Sequence, residues 1–151
     1  MHKFSSTLRS TAQQVAQLRF HIQEPGCPGY DFHYHLPERI EYVVGRVSSQ
    51  CGFDVVQIQL QDLRVSRLHC RIFFHSQGCW MIEDLRSTNG TYIRHPDAPL
   101  EAWQEILCVT ALPLEIDIRV GGTFLAMRPI TQGPPVRHPR NYWPLHSRQA
   151  A

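Results

Sequence analysis

Apolar and polar residues alternate along several stretches of the chain with the two-residue period of a half-buried β-strand. The pattern is clear in LRFHIQ, residues 18–23, and it returns in VVQIQL, residues 55–60. Because successive side chains of a strand point to opposite faces, each stretch predicts a strand with one buried face.

Residues 69–85, HCRIFFHSQGCWMIEDL, predict a β-hairpin. An apolar strand at residues 72–74 is followed by a turn at 76–78 and by a second strand at 80–82. A hairpin returns its two ends to the same edge, so the segments on either side of it are expected to open on one side of the fold.

Further short strands are predicted along the chain, and helical periodicity is scarce. They lie at residues 39–46, 92–93, 105–112, 114–120 and 123–128, with a Gly121-Gly122 turn before the last. Short strands with turn signals every 8–12 residues are typical of an all-β fold, and we predict an antiparallel β-sandwich of about 10–11 strands.

The two ends of the chain differ in composition from the strand region. Residues 1–15 are rich in Ser, Thr and Gln and predict a flexible arm. Residues 129–151 hold five of the eleven prolines and predict an extended tail. The predicted domain therefore spans residues 16–128.

Composition excludes some classes of protein. The chain has 151 residues, 42% hydrophobic and 19% charged, which suits one globular domain. A net charge of +2 makes nucleic acid an unlikely partner, although a small acidic ligand fits.

The chain shows no signal peptide and no stretch of about 18 apolar residues, so we expect a soluble intracellular protein without a membrane partner. The five cysteines include no C-x-x-C pair, which favours reduced thiols over disulfides or zinc. No cofactor is indicated.

Two segments carry the candidate chemistry: RVSRLH, residues 64–69, and STNGTY, residues 87–92. They flank the predicted hairpin and supply hydroxyl groups and backbone N–H groups, with Arg64 and Arg67 as nearby cations. The pattern indicates two rims of one anion site.

Other interpretations of these residues stay open. Asn89-Gly90 is also the commonest two-residue hairpin turn, and with Thr91 it forms a glycosylation sequon. Gly45-Arg46 alone is consistent with a strand end that carries a solvated arginine.

Metal binding and hydrolysis are weaker alternatives. His33 and His35 have the spacing of a two-histidine metal pair, but no third ligand is indicated. Ser66, His69 and Asp84 supply the residue types of a hydrolase triad without a G-x-S-x-G elbow, so no enzymatic activity is expected.

Four motifs in order resemble the forkhead-associated (FHA) domain family, over about residues 16–128. They are Gly45-Arg46, Ser66 with His69, STNGT at 87–91, and IRVGGTFL at 118–125. The resemblance implies a phosphothreonine-binding module without a small-molecule substrate, in which loops at one end of a sandwich hold an extended phosphopeptide from a partner protein.

The resemblance also implies a role for each matching residue. Arg46 would contact the phosphate, Ser66 would hydrogen-bond it, and Arg67 would reach the phosphate or the ligand backbone. Thr88 would line the pocket, and Asn89 would bind the peptide main chain.

The remaining matches would act indirectly or at the margin of the site. Gly45, His69 and Gly90 would shape the loops. Arg64 would contact the residue three places after the phosphothreonine and favour an acidic side chain there. The resemblance further implies a pocket near His69 and Asn89 that distinguishes threonine from serine.

The chemistry of the ligand agrees with this set of residues. A phosphothreonine carries about −1.5 to −2 charge and three strong acceptor oxygens, which suit a guanidinium group and several neutral donors. Arg46, Ser66, Arg67 and Thr88 supply such groups.

Two alternatives to a freestanding adaptor remain. One is the N-terminal regulatory part of a longer protein, such as a serine/threonine kinase, and the other is a phosphate-independent interaction domain. Family association favours the nucleus if the source is a eukaryote. Residues 94–111 form a longer connection than the family usually has, which leaves the ligand sequence open.

Overall fold

A computed structural model describes residues 17–33, 41–46, 55–75 and 78–130 of the chain. Eleven strands lie in these ranges. They are β1 (Leu18–Gln23), β2 (Tyr30–His33), β3 (Glu41–Gly45), β4 (Val55–Gln59), β5 (Cys70–His75), β6 (Cys79–Asp84), β7 (Thr91–Arg94), β8 (Gln104–Glu105), β9 (Thr110–Leu112), β10 (Ile116–Val120) and β11 (Thr123–Pro129).

The strands form two sheets, and the predicted all-β sandwich is confirmed. One sheet has six strands in the order β2-β1-β11-β10-β7-β8, and the other has five in the order β4-β3-β5-β6-β9. The recorded pairings are antiparallel except that of β3 with β4, which is parallel. The sequence pattern did not predict this exception, because alternation reports which face is buried and not the direction of the neighbouring strand.

The core lies between the two sheets and is built by the predicted alternation. In β1 the first, third and fifth residues are buried and the others are exposed, and β10 repeats this spacing of buried residues. The aromatic rings of Phe20 and Tyr42 meet edge to face at a centroid distance of 5.1 Å, and Trp80 lies 6.0 Å from Tyr42. These rings join the two sheets across the core.

The predicted hairpin is confirmed by the register of β5 and β6. Ile72 pairs with Ile82, and Phe74 pairs with Trp80. Of the predicted turn, Gly78 is described and has a φ of 93°, while residues 76–77 lie outside the described ranges. The first residue of β5 and the last of β6, Cys70 and Asp84, are paired. The segments before and after the hairpin therefore leave at the same end.

The prediction of one strand over residues 105–112 is wrong. This stretch is divided between β8 and β9, which belong to different sheets. Residues 106–109 cross from one sheet to the other, and of these only Ile106 is buried. An apolar run can form a strand or a connection between the two sheets, and the sequence pattern does not distinguish these.

Several connections meet at one end of the sandwich, which we call the loop end. It comprises Arg46, which follows β3, and residues 24–29, 60–69, 85–90, 106–109 and 121–122. The register places them together: the end of β10 pairs with the start of β7, and Leu60 donates its N–H to the carbonyl of Gly45 at the end of β3.

The long connection between β7 and β8 packs away from the loop end. The Trp103 ring lies against the guanidinium groups of Arg94 and Arg119, at 4.5 and 5.0 Å, and 5.8 Å from the ring of Phe124. These residues lie on the outer face of the six-stranded sheet. This connection therefore covers part of a sheet.

Parts of the sequence predictions fall outside the described ranges. These parts are the arm at residues 1–15, nearly all of the tail at 129–151, and His35. The described strands run from Leu18 to Pro129, while the domain boundaries at 16 and 128 stay predictions. Within the described ranges, no helix is long and apolar enough to cross a membrane.

Candidate functional site

The two predicted rims of the anion site are joined directly by hydrogen bonds. The Ser66 hydroxyl oxygen accepts the backbone N–H of Thr88 at 2.9 Å. The Asn89 side-chain amide donates to the carbonyl of Arg64 at 2.7 Å. Residues 60–69 and 85–90 are thus held against each other at the loop end.

The buried side chain of His69 connects the same two loops by hydrogen bonds. Its side chain is fully buried, and Nδ1 lies 3.0 Å from the backbone N–H of Ser66 while Nε2 lies 2.8 Å from the carbonyl of Gly90. Because Nδ1 must accept here, the hydrogen of a neutral ring is on Nε2 and is donated to Gly90. Burial lowers the pKa of His69, and the Gly90 carbonyl and the Asp84 carboxylate oppose this shift only in part.

The turn at residues 87–90 is organised by Asp84. Its carboxylate accepts hydrogen bonds from the backbone N–H and the hydroxyl of Ser87 and from the hydroxyl of Thr91. Partial burial raises the pKa of Asp84, but these hydrogen bonds outweigh it and lower the pKa. Gly90 has a φ of 83°, a conformation that glycine adopts without steric cost. The turn is therefore preformed.

Arg46 lies along the loop that carries Ser66. Its backbone N–H donates to the carbonyl of Ser66 at 3.2 Å, and its Nε donates to the carbonyl of Val65. The preceding residue must be glycine, because a Cβ on Gly45 would lie 1.9 Å from the carbonyl oxygen of Arg67. The close approach of β3 to this loop sets the position of the Arg46 side chain.

Asp62 is a structural residue of the site that the sequence analysis missed. Its side chain is 5% exposed and accepts from the N–H of Arg64 at 3.0 Å, the N–H of Gly122 at 2.7 Å and the hydroxyl of Thr123 at 3.0 Å. Burial raises its pKa, but these bonds outweigh that effect and lower it. Asp62 thereby fastens residues 60–69 to the β10–β11 turn.

Glu24 also holds this loop, and sequence reasoning missed it too. Its Oε1 accepts the backbone N–H groups of Gln61 at 2.7 Å and Asp62 at 3.2 Å. A single acidic residue before a Pro-Gly turn carries no recognisable signal. For Asp62 the sequence does contain a signal, because an aspartate in a loop typically accepts the backbone N–H two residues later, here that of Arg64.

Arg64 and Arg67 are exposed at the loop end. The Arg64 side chain is 64% exposed, and its Nε lies 3.6 Å from the Asp62 carboxylate. Its guanidinium group lies against Gly122: a Cβ atom added to Gly122 would be 2.0 Å from it. The structure thus brings the six predicted ligand-contacting residues to one end of the sandwich. They are Arg46, Arg64, Ser66, Arg67, Thr88 and Asn89.

Ser66, His69 and Asp84, the residue types of a hydrolase triad, lie close together, but their side chains are not hydrogen-bonded in series as in a catalytic triad. Both ring nitrogens of His69 are bonded to main-chain groups of Ser66 and Gly90, and the Asp84 carboxylate is bonded to Ser87 and Thr91. Of the predicted metal pair His33 and His35, only His33 lies in the described ranges. Within the described part of the chain, no group of three ligand-type side chains is arranged to hold a metal ion.

Comparison with known proteins finds one family model that matches part of this arrangement. The family model of the FHA domain matches residues 42–105, which include Arg46, Ser66, His69 and Asn89. No curated protein gives a significant match to the chain.

Several solved structures have a similar fold. The FHA domain of a Chlamydia trachomatis protein is 21% identical with a TM-score of 0.57, and the match covers 76% of this chain and 99% of that one. An FHA domain from Arabidopsis thaliana is 24% identical with a TM-score of 0.56, covering 80% and 91%. Mycobacterium tuberculosis EmbR, in complex with a low-affinity phosphopeptide, is 21% identical with a TM-score of 0.54, covering 87% of this chain and 31% of EmbR.

The family match and the shared fold agree with each other. At these identities the structural likeness establishes the fold, and the family model covers three of the four motifs, those between residues 45 and 91. The resemblance to the FHA family that the four sequence motifs indicated is confirmed.

The bracing role of His69 predicts a pH dependence of stability. Because its pKa is lowered in the folded state, the unfolded chain takes up the proton first. The contribution of His69 is therefore complete above its unfolded pKa of about 6.5 and is lost as the pH falls through the lower folded value. The free energy of unfolding, measured by urea denaturation between pH 7.5 and 5, should decrease by up to about 1.4 kcal/mol per pH unit for this proton.

A matched pair of variants isolates the effect. In His69→Gln the slope between pH 7.5 and 5 should flatten, while in His95→Gln, where the residue is exposed, it should remain as in the wild type. Equal slopes in His69→Gln and wild type would contradict the bracing role.

Proposed function

We propose that this FHA domain binds a phosphothreonine-containing segment of a partner protein in an extended conformation at the loop end. The observation that carries the proposal is the direct link between Ser66 and Thr88. It holds hydroxyl groups, backbone N–H groups and arginine side chains together before any ligand arrives. Such preorganisation reduces the entropic cost of binding.

The phosphate would be bound by charge and by neutral donors together. Arg46 and Arg67 supply guanidinium groups, which form strong charge-assisted bonds with phosphate oxygens. The Ser66 hydroxyl already accepts from Thr88, so its own hydrogen can be donated to the phosphate. The Thr88 side chain, exposed beside it, would line the pocket.

Asn89 is suited to bind the main chain of the ligand. One of its two amide hydrogens is donated to the Arg64 carbonyl, which fixes the orientation of the side chain. The amide oxygen and the second hydrogen match the N–H and C=O of an extended peptide. The peptide would run across residues 85–90.

The similarity to EmbR supports a phosphopeptide as the ligand, because that protein has been solved with a phosphopeptide bound. EmbR is about three times as long as the matched region, so its other properties do not carry over. The proposal for this chain depends on its own residues at the loop end and on the family match.

Replacement of Arg46 tests the phosphate contact. A hydrogen bond to a charged group is worth about 1.5–3 kcal/mol, so Arg46→Ala should weaken binding of phosphothreonine peptides by roughly tenfold to a hundredfold or more. Retention on a bead-bound degenerate phosphothreonine library, compared with its unphosphorylated counterpart, measures the effect. Arg19→Ala, an exposed arginine in β1, is the control, and equal losses in both variants would refute the assignment.

Selectivity for threonine over serine tests the shape of the pocket. The two phosphoresidues differ by one methyl group, whose transfer from water is worth about 0.8 kcal/mol, or roughly a factor of four. A pocket near His69 and Asn89 that encloses this methyl group should give a larger preference. Titration with matched phosphothreonine and phosphoserine peptides measures it, and equal affinities would exclude such a pocket.

The position of Arg64 predicts a preference in the ligand sequence. Its exposed guanidinium would attract Asp or Glu three residues after the phosphothreonine. An oriented phosphopeptide library should show this preference with the wild type and lose it with Arg64→Ala. If the preference is missing, or persists in the variant, Arg64 does not contact that residue.

A further inference from the structure

Large apolar side chains are exposed at the loop end. Seven such residues are at least 44% exposed in the described ranges, and four of them lie at the loop end. These four are Leu63 at 84%, Leu68 at 44%, Leu107 at 87% and Val109 at 44%. Clustered exposed apolar residues indicate an interaction surface more often than scattered ones do.

The segment at residues 106–109 holds its apolar side chains in a fixed position. Ile106 is buried and donates its N–H to the Thr91 carbonyl at 2.9 Å. The Thr110 hydroxyl donates to the Cys108 carbonyl at 2.8 Å. The backbone is thus anchored at both ends, while Leu107 and Val109 face solvent.

The sheet topology places this segment beside the candidate site. Residues 85–90 cross from β6 to β7, and residues 106–109 cross back from β8 to β9, the respective neighbours of β7 and β6. The two crossings therefore run side by side. The Glu105 side chain lies against the turn at residues 87–90, because a Cβ atom added to Gly90 would be 2.8 Å from a Glu105 carboxylate oxygen. The Ser66 loop flanks residues 85–90 on the other side.

The charges at the loop end favour an anionic ligand with apolar residues. The carboxylates of Glu24, Asp62 and Asp84 accept hydrogen bonds within the fold. Among the described residues, Arg64, Arg67 and Arg86 are exposed at this end, against the one exposed carboxylate of Glu105 beside Gly90. The site therefore presents more positive than negative charge to a partner, together with leucine side chains. This combination suits a phosphorylated peptide that also carries an apolar residue.

We propose that Leu107 and Val109 form an apolar subsite of the phosphopeptide site and bind an aliphatic or aromatic side chain of the same ligand. This inference rests on the proposed function. An extended peptide advances roughly 3.3 Å per residue, so a side chain a few residues from the phosphothreonine reaches residues 106–109 after crossing residues 85–90. The subsite contributes ligand specificity that the phosphate contacts do not supply.

A double variant with a matched control tests the subsite. Leu107→Ser combined with Val109→Ser removes it, and Leu100→Ser combined with Leu114→Ser removes side chains of similar exposure, 78% and 44%, outside the loop end. Each protein is applied to a degenerate phosphothreonine peptide library and to the unphosphorylated library. The bound peptides are sequenced.

The wild type and the control variant should select an apolar residue at one fixed position. The Leu107 and Val109 double variant should lose this selection and bind the selected peptide about fivefold to tenfold more weakly, while it still prefers the phosphorylated library. Unchanged melting temperatures would show that all the variants are folded.

Other outcomes overturn the inference. It fails if no position is apolar, if the double variant keeps the selection, or if the control loses it equally. Sedimentation with phosphatidylserine vesicles that depends on Leu107 would assign the surface to a membrane instead. If the wild type shows no preference for the phosphorylated library, the proposed function itself fails and the subsite fails with it.

Discussion

The buried imidazole of His69 is the contact on which the geometry of the loop end depends. It bonds the backbone of Ser66 on one side and of Gly90 on the other, so one neutral ring determines how two loops from the central hairpin face each other. The bond from Thr88 to the Ser66 hydroxyl and the bond from Asn89 to Arg64 lie above it. Without the ring, the Ser66 N–H and the Gly90 carbonyl, both partly buried, would lose these partners, at a cost of up to about 1–3 kcal/mol each.

The acidic residues near the site serve the fold and leave the arginines to face outward. Asp62 and Asp84 accept several backbone and hydroxyl hydrogen bonds each, and their pKa values are lowered as a result. Buried carboxylates that accept several hydrogen bonds stay ionised and rigidify their loops. Most of the negative charge at this end is thereby used in hydrogen bonds within the fold. Glu105, exposed beside Gly90, is the exception among the described residues, and the exposed arginines outnumber it.

The segment between β7 and β9 has two parts, which pack at different places in the fold. Residues 95–103 fold over the six-stranded sheet, where Trp103 stacks on arginine side chains. Residues 106–109 return to the loop end and expose Leu107 and Val109 beside the candidate site. This one segment thus adds packing on the outer face of the six-stranded sheet and apolar surface at the loop end.

The sequence by itself predicted most of the strands and the residues of the candidate site. Alternation in residues 18–23 and 55–60 predicts which side chains are buried, because a strand has a period of two. The motifs around Arg46, Ser66 and Asn89 carry the resemblance to the FHA family. These signals are local, so each can be recognised within a few residues.

Only the tertiary structure decided the pairing of β3 with β4, the division of residues 105–112 between two sheets, and the roles of Glu24 and Asp62. Each depends on partners distant in sequence: the Asp62 carboxylate meets Gly122, sixty residues away. A local pattern specifies that a residue is polar or apolar, but a hydrogen bond across the fold exists only once the strands have brought its two ends together.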